Sequence, residues 1–193
     1  KRVLLVRGGS LGRNTGLGAA HHNLVDLLES GKVDGWQLAG ICEYPLEKTS
    51  NPISRIWQRW FAHPKRVAKE INRLVSNNQC DLVHITDQEQ GHLVPKNCPV
   101  PGIITVHDLF HLFPEHLRFS DEVIAVGDTK PGIVRRRDLQ KLKAGINRAN
   151  HLLCNSKHTL EAAEQHFPTV AASRVPLGIE SAKYHPDNNQ PIK

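Results

Sequence analysis

A histidine and an aspartate stand side by side in the segment Thr105–Leu109, where an apolar run ends. The run, Gly102–Val106, has the composition of a buried strand. A histidine at such a strand end can hydrogen-bond a sugar hydroxyl or a phosphate oxygen, or act as an acid or base near neutral pH. We predict His107 and Asp108 as the catalytic pair, with Asp108 orienting the imidazole or shaping the loop. The alternative is that His107, one of twelve histidines, is only structural.

A glycine-rich loop, Arg7–Gly18, lies between an apolar run and a helical pattern, and it holds five glycines. Glycine allows close backbone approach, and the helix N-terminus beyond the loop offers free N–H groups to an anion. The dinucleotide fingerprint is not met because His21 stands where glycine or alanine belongs, and no Walker lysine follows. Glu43 ends the next apolar run, as a ribose ligand would. A dinucleotide-binding domain of the NAD(P) type therefore stays open as the alternative function.

Short apolar runs alternate with helical periodicity along the chain. The predicted strands are Arg2–Val6, Gln37–Cys42, Asp81–Ile85, Gly102–Val106, His151–Cys154 and Arg174–Leu177. The predicted helices are 17–28, 53–62, 65–77, 134–149 and 157–166, the first ending at Gly31 and the last capped by Ser156. This alternation predicts an α/β fold, a Rossmann-like three-layer α/β/α domain with a mainly parallel sheet covered on both faces. Ligands bind beyond the carboxyl ends of such strands.

The balance of charge favours anionic partners. The net charge is +6 and the isoelectric point is about 9.3, which suits sugar phosphates, nucleotide sugars, anionic lipids or nucleic acid. No nucleic-acid recognition motif is present, so we predict no nucleic-acid partner. No run of eighteen or more apolar residues occurs in the sequence, which predicts no membrane span.

Cysteine and histidine spacings argue against a metal site. The four cysteines stand singly, without the paired spacing of zinc or redox sites, which is typical of reduced thiols in a cytoplasmic protein. His107, His111 and His116 lack the HExxH pattern, and Pro114 interrupts any helix that could bring them together. We predict no metal and no cofactor.

An aromatic stripe at helical spacing lies within Ile53–Phe61, with arginines between its members. A helix of this kind can lie in a membrane interface. It can also face the core, and the core is favoured because amphipathic helices usually bury their apolar face. Peripheral membrane contact through Ile53–Phe61 stays open as a second interpretation.

Five motifs in order along the chain carry a resemblance. They read GRNTGLG from Gly12, DLVH from Asp81, TVHDL from Thr105, RAN with CNSK from Arg148, and VPLGIE with YHP from Val175. Together they resemble the N-terminal domain of family 4 retaining glycosyltransferases of the GT-B fold. Departures from the family's pattern are Ala19-Ala20, Asn150 and Lys157.

The resemblance implies an acceptor-side domain, at residues 1–184, followed by a linker at 185–193 toward a C-terminal domain. That second domain would hold most of a nucleotide-sugar donor of the UDP- or GDP-sugar class, and the acceptor is not identified. The implied enzyme transfers a sugar without a metal, and the isolated chain is expected to be inactive. His107 would hydrogen-bond the transferred sugar. The residues expected to line the donor and acceptor side are Gly12, Arg13, Gly16, Gly18, Asn155, Ser156 and Lys157.

Overall fold

The computed structural model describes residues 1–44, 51–119, 122–176 and 178. The strands within these ranges are β1 (Arg2–Gly9), β2 (Gln37–Tyr44), β3 (Leu82–Ile85), β4 (Gly102–Val106), β5 (Glu115–Phe119), β6 (Glu122–Val126), β7 (His151–Cys154) and β8 (Ala171–Arg174). The α-helices are α1 (Gly16–Glu29), α2 (Pro52–Trp57), α3 (His63–Ser76), α4 (Ile133–Ile146) and α5 (Lys157–His166). A π-helical turn, Gln58–Ala62, joins α2 to α3, and a 3-10 helix spans Gln88–Leu93.

Six strands form one parallel sheet in the order β2-β1-β3-β4-β7-β8, while β5 and β6 pair as a separate antiparallel hairpin. The chain leaves β1 toward β2 on one side and later adds β3 on the other, so the winding reverses at β1. Sheets of this kind bind ligands in the crevice at that reversal, beyond the carboxyl ends of the strands. The Rossmann-like α/β/α prediction is confirmed.

The larger core lies on the face that α3, α4 and α5 cover. Its members include Val67 and Ile71 from α3 and Leu142 from α4, all fully buried. On the opposite face, Val3 and Leu5 of β1 pack against α1, the one helix that buries side chains there within the described ranges. Helices therefore flank the sheet on both sides, as the alternation of apolar runs predicted.

Helix α4 approaches the 3-10 helix backbone to backbone. A Cβ atom at Gly145 would lie 2.1 Å from the carbonyl oxygen of Gly91 and 2.7 Å from the Cα of His92. Real side chains do not reach backbone atoms at such distances, so this approach requires glycine at position 145. The 3-10 helix is thereby seated directly on α4.

The observed elements depart from the predicted ones in a few places. The last strand was predicted at Arg174–Leu177 and is wrong in position, since β8 ends at Arg174. Pro176 lacks the N–H that a ladder needs, whereas the more polar run before it pairs with β7. The 3-10 helix and the β5–β6 hairpin were not predicted. The linker prediction at 185–193 lies outside the described residues.

Candidate functional site at the end of strand four

His107 follows β4 directly and is fixed by the segment that follows β3. Its backbone N–H donates to Gln88 Oε1 at 2.9 Å, and its ring Nε2 donates to the carbonyl oxygen of Thr86 at 3.3 Å. A carbonyl can only accept, so Nε2 carries the proton and Nδ1 holds the lone pair in the neutral ring. No described residue bonds to Nδ1. That atom can accept a hydrogen bond from a ligand hydroxyl, or donate to an oxyanion once protonated.

Asp108 shapes the loop after His107 and does not hydrogen-bond the imidazole. Its Oδ1 accepts from the backbone N–H of Phe110 at 3.2 Å, which closes a local turn. The orientation of His107 comes from Thr86 and Gln88 instead, two residues that sequence reasoning missed. No local pattern marks them, because both residues lie about twenty positions before His107 in the chain. Thr86 moreover contributes only its backbone carbonyl oxygen.

The glycines of the first loop divide into two kinds. Gly12 and Gly16 are exposed, and a Cβ atom at either would meet nothing within 4 Å. Gly18 is buried, and its Cβ would lie 2.0 Å from the carbonyl oxygen of Gly12. Thr15 caps α1 through its Oγ1, which accepts from the Gly18 N–H at 3.0 Å. Gly18 therefore positions the loop, while Gly12 and Gly16 leave its outer side open to a ligand.

Two histidines of this region, His21 and His84, are buried and held neutral. His21 is buried, and its Nδ1 lies 3.1 Å from Thr86 Oγ1. Burial, reinforced by the nearby charge of Arg7, lowers the pKa of His21 to about 4. Burial also lowers the pKa of His84 to about 4, and its Nε2 lies 2.8 Å from Thr105 Oγ1. Asp87 is buried beside them, and burial raises the pKa of its carboxyl.

The sequence matches the model of a known enzyme family over most of its length. The sequence model of Glycosyltransferase Family 4 matches residues 34–183, well over half of the chain. The chain belongs to glycosyltransferase family 4. No curated protein matches the sequence. The alternative of a dinucleotide-binding domain is not favoured.

Three solved glycosyltransferases of the GT-B fold have a similar fold, and the family 4 chain spans about half the length of each. A Polygonum tinctorium UDP-glucosyltransferase gives a TM-score of 0.54 at 13% identity, over 98% of this chain and 55% of that one. Phytolacca americana UGT2, complexed with UDP-2fluoro-glucose and pterostilbene, gives 0.56 at 12%, over 92% and 54%. A transferase from Siraitia grosvenorii, in complex with UDP, gives 0.53 at 13%, over 97% and 52%.

At the start of α5 of the family 4 chain, Asn155 and Ser156 are linked to the backbone of His107 through the hydroxyl of Thr159, whereas Lys157 is not. Ser156 caps α5, since its Oγ accepts from the Thr159 N–H at 3.0 Å. The Thr159 hydroxyl lies 3.3 Å from both the Asn155 Oδ1 and the carbonyl oxygen of His107. Lys157 is exposed and lies 3.4 Å from Glu161. The capping role of Ser156 is confirmed, and a ligand role for these residues stays a prediction.

Arg13 bonds to α1 itself. Its two terminal nitrogens donate to the Asp26 carboxylate at 2.6 and 2.9 Å, on the exposed side of α1. The hydrogen bond from Arg13 lowers the pKa of Asp26. A ligand contact by Arg13 stays a prediction, and it would have to compete with this ion pair.

A buried ionic network holds the 3-10 helix that supplies Gln88. Asp138 of α4 is 6% exposed and accepts from Arg59 Nε at 2.8 Å, Trp60 Nε1 at 2.9 Å and Arg135 Nη1 at 2.9 Å. The arginines also reach the 3-10 helix, where Arg135 bonds the Glu89 carboxylate at 3.2 Å and Arg59 bonds the Glu89 carbonyl at 2.8 Å. The support of His107 thus depends on charged residues far away in sequence.

The aromatic stripe does not face the core along its whole length, so that interpretation is wrong for three of its members. Ile53, Trp57 and Phe61 lie on one side of the helix and are 78%, 60% and 50% exposed. Ile133 and Val134 at the start of α4 are exposed as well, and they line a cavity of about 510 Å³ together with Ile56 and Trp60. We call the five exposed residues the aromatic patch. Only Ile56 and Trp60, at the alternate positions, are half-buried.

Neither a metal-binding group of side chains nor a membrane-spanning helix is found in the described part of the chain. Within residues 1–44, 51–119 and 122–176, no three histidine, cysteine, aspartate or glutamate side chains group so as to hold a metal ion. No helix in the described part of the chain is long and apolar enough to cross a bilayer.

Proposed function

We propose that this chain is the acceptor-side half of a retaining glycosyltransferase that moves a sugar from a nucleotide-sugar donor to an acceptor. The observation that carries the proposal is His107, which directly follows a central strand of a family 4 chain and whose Nδ1 bonds to no described residue. The donor class we propose is a UDP- or GDP-sugar. Solved structures of the same fold that contain UDP or UDP-2fluoro-glucose support a nucleotide-sugar donor.

The residues of this half would position the reacting sugar and stabilise charge. His107 Nδ1 would accept a hydrogen bond from a hydroxyl of the transferred sugar, while its Nε2 stays bonded to Thr86. The open side of the loop at Gly12 and Gly16 would admit the donor phosphates to the N-terminus of α1. Preorganised donors of this kind stabilise a leaving diphosphate without a metal ion.

A second domain is part of the proposal. The family 4 chain spans 52–55% of the length of the solved glycosyltransferases described above. A C-terminal Rossmann-like domain would hold most of the donor, and residues 1–184 alone would not catalyse transfer. We also propose a cytoplasmic location, which the four unpaired cysteines support, three of them buried.

The test is sugar transfer by the full-length protein, screened against nucleotide sugars by release of the nucleoside diphosphate. With the donor that reacts, His107→Ala should lower turnover by about 100-fold, a typical contribution of a positioned proton-transfer or hydrogen-bonding group. His111→Ala is the matched control, because His111 is an exposed histidine one turn away in the same loop. Near-normal turnover by His107→Ala would show that His107 is structural. No diphosphate release with any nucleotide sugar would refute the function itself.

We further propose that the aromatic patch contacts an anionic membrane surface. Five apolar side chains are exposed on two segments that meet at Ile56 and Trp60, and basic residues, among them Arg55, Arg136 and Arg137, lie on the helices of those segments. An apolar face beside basic residues is the composition of helices that lie in a membrane interface. Co-sedimentation with vesicles tests the contact, and binding that ignores the content of anionic lipid would contradict it.

A further inference from the structure

Arg7 carries a buried charge that has no role in the sugar transfer proposed above. It lies near the carboxyl end of β1, at the reversal of the sheet, and only 3% of it is exposed. Its Nε has no hydrogen-bond partner, and no carboxylate of the described residues forms an ion pair with it. An unpaired guanidinium in a protein interior is costly, because burial removes its water and nothing replaces it.

The surroundings of Arg7 compensate this charge only in part. Burial is the largest influence on the guanidinium and lowers its pKa, while Asp87 and Glu43 attract it only from a distance. Asp87 is itself buried, which raises the pKa of its carboxyl. The Asp87 carboxylate accepts a hydrogen bond from the Glu89 N–H at 2.9 Å, so it is engaged elsewhere.

The side chain of Arg7 lies on the α1 side of the sheet. Side chains alternate along a strand, and Val3 and Leu5 of β1 pack against α1. The charge of Arg7 helps to lower the pKa of His21 on α1, which fits this placement. The first turn of α1 contains no acidic residue, so its positive N-terminal dipole is uncompensated. Two sources of positive potential therefore meet at the sheet's ligand edge.

We propose that Arg7, together with the first turn of α1, forms a subsite for an oxyanion, a phosphate or carboxylate group of a bound ligand. The ligand would supply the counter-charge that the described residues provide only in part. The identity of that ligand rests on the proposed sugar transfer, in which the oxyanion belongs either to the donor diphosphate or to an anionic acceptor. The subsite itself is measured by binding alone, so its failure and a failure of sugar transfer remain distinguishable.

The experiment titrates the purified 193-residue chain with inorganic phosphate, UDP and uridine by calorimetry. Arg7→Gln should weaken phosphate or UDP binding by about 10- to 100-fold, the loss expected for a charge-assisted hydrogen bond. Arg7→Lys keeps the charge and should retain part of the affinity. Lys32→Gln is the control for net charge, because Lys32 is exposed beyond the far end of α1. Uridine carries no oxyanion, so its titration should not differ among the four proteins.

Stability separates a binding role from a structural one. Because Arg7 is a buried charge without an ion pair among the described residues, Arg7→Gln should unfold in urea at the same or a higher midpoint than the parent. If Arg7→Gln weakens the binding of UDP alone, the oxyanion belongs to the donor. If it weakens the binding of inorganic phosphate as well, the subsite also accepts a phosphate outside a nucleotide, such as that of an anionic acceptor. Unchanged affinity in Arg7→Gln, or no binding of phosphate and UDP by the parent chain, would overturn the proposal. If Arg7→Gln does not fold, the affinity of Arg7→Lys for phosphate and UDP decides: a weakened affinity supports the subsite, and an unchanged one overturns it.

Discussion

Replacement of Gly18 by alanine tests whether the first loop rests on the start of α1. The added Cβ would lie 2.0 Å from the Gly12 carbonyl oxygen and 2.6 Å from Thr15 Oγ1. Ordinary contact begins near 3.4 Å, so the Gly12 carbonyl must retreat by about 1.4 Å. Overpacking of this kind costs about 1–3 kcal/mol, and displacement of the Thr15 cap costs about 1 kcal/mol more. We expect Gly18→Ala to lower the free energy of unfolding by about 2–4 kcal/mol.

Urea unfolding followed by tryptophan fluorescence measures this loss, and calorimetry should show a melting temperature lowered by about 5–15 °C. Gly16→Ala is the matched control on the same helix, because a Cβ there meets nothing within 4 Å. The control should stay within about 0.5 kcal/mol of the parent chain. Equal stability of the two variants would refute the reasoning, since it would mean that the Gly12 carbonyl is not held against position 18.

Two further predictions concern titration and the aromatic patch. The pKa of His84 is depressed to about 4 from 6.5, so the unfolded chain binds the extra proton between those values. The free energy of unfolding should therefore fall as the pH drops from 6.5 toward 4. His84→Gln should show a shallower fall. An identical slope would contradict the view that burial depresses the pKa of His84. Serine at Ile53, Trp57 and Phe61 together should weaken vesicle binding at least about tenfold, whereas Val123→Ser on the hairpin should not. Equal losses in both proteins would place the contact elsewhere.

Much of the sheet was predictable because its central strands β1, β3, β4 and β7 are largely buried. The bounds of β4 and β7 were predicted correctly from short apolar runs, and α5 was located by the Ser156 cap. The β5–β6 hairpin was not predicted, although Glu115–Phe119 alternates in polarity as half-exposed strands do. Apolar content was the wrong guide at Arg174–Leu177, where pairing with β7 decides the strand.

The candidate site was predictable only in its location. His107 was identified because it ends an apolar run, but Thr86 and Gln88, which hold it, carry no signal in the sequence. Short polar residues in turns and at helix starts are ambiguous for a physical reason. The same hydroxyl or carboxylate that could bind a ligand also satisfies a nearby backbone N–H, as Ser156 and Asp108 do.

The contact of α4 with the 3-10 helix constrains how this sequence can vary. Gly145 has no assigned role in the proposed reaction, yet its missing side chain lets α4 pack against the helix that begins with Gln88. Any exchange at this position would displace the backbone of Gly91 and, through the same short helix, the amide that holds His107. Evolution would preserve such a glycine as strictly as a catalytic group. Invariance at position 145 among relatives would therefore record a packing constraint and not a role in chemistry.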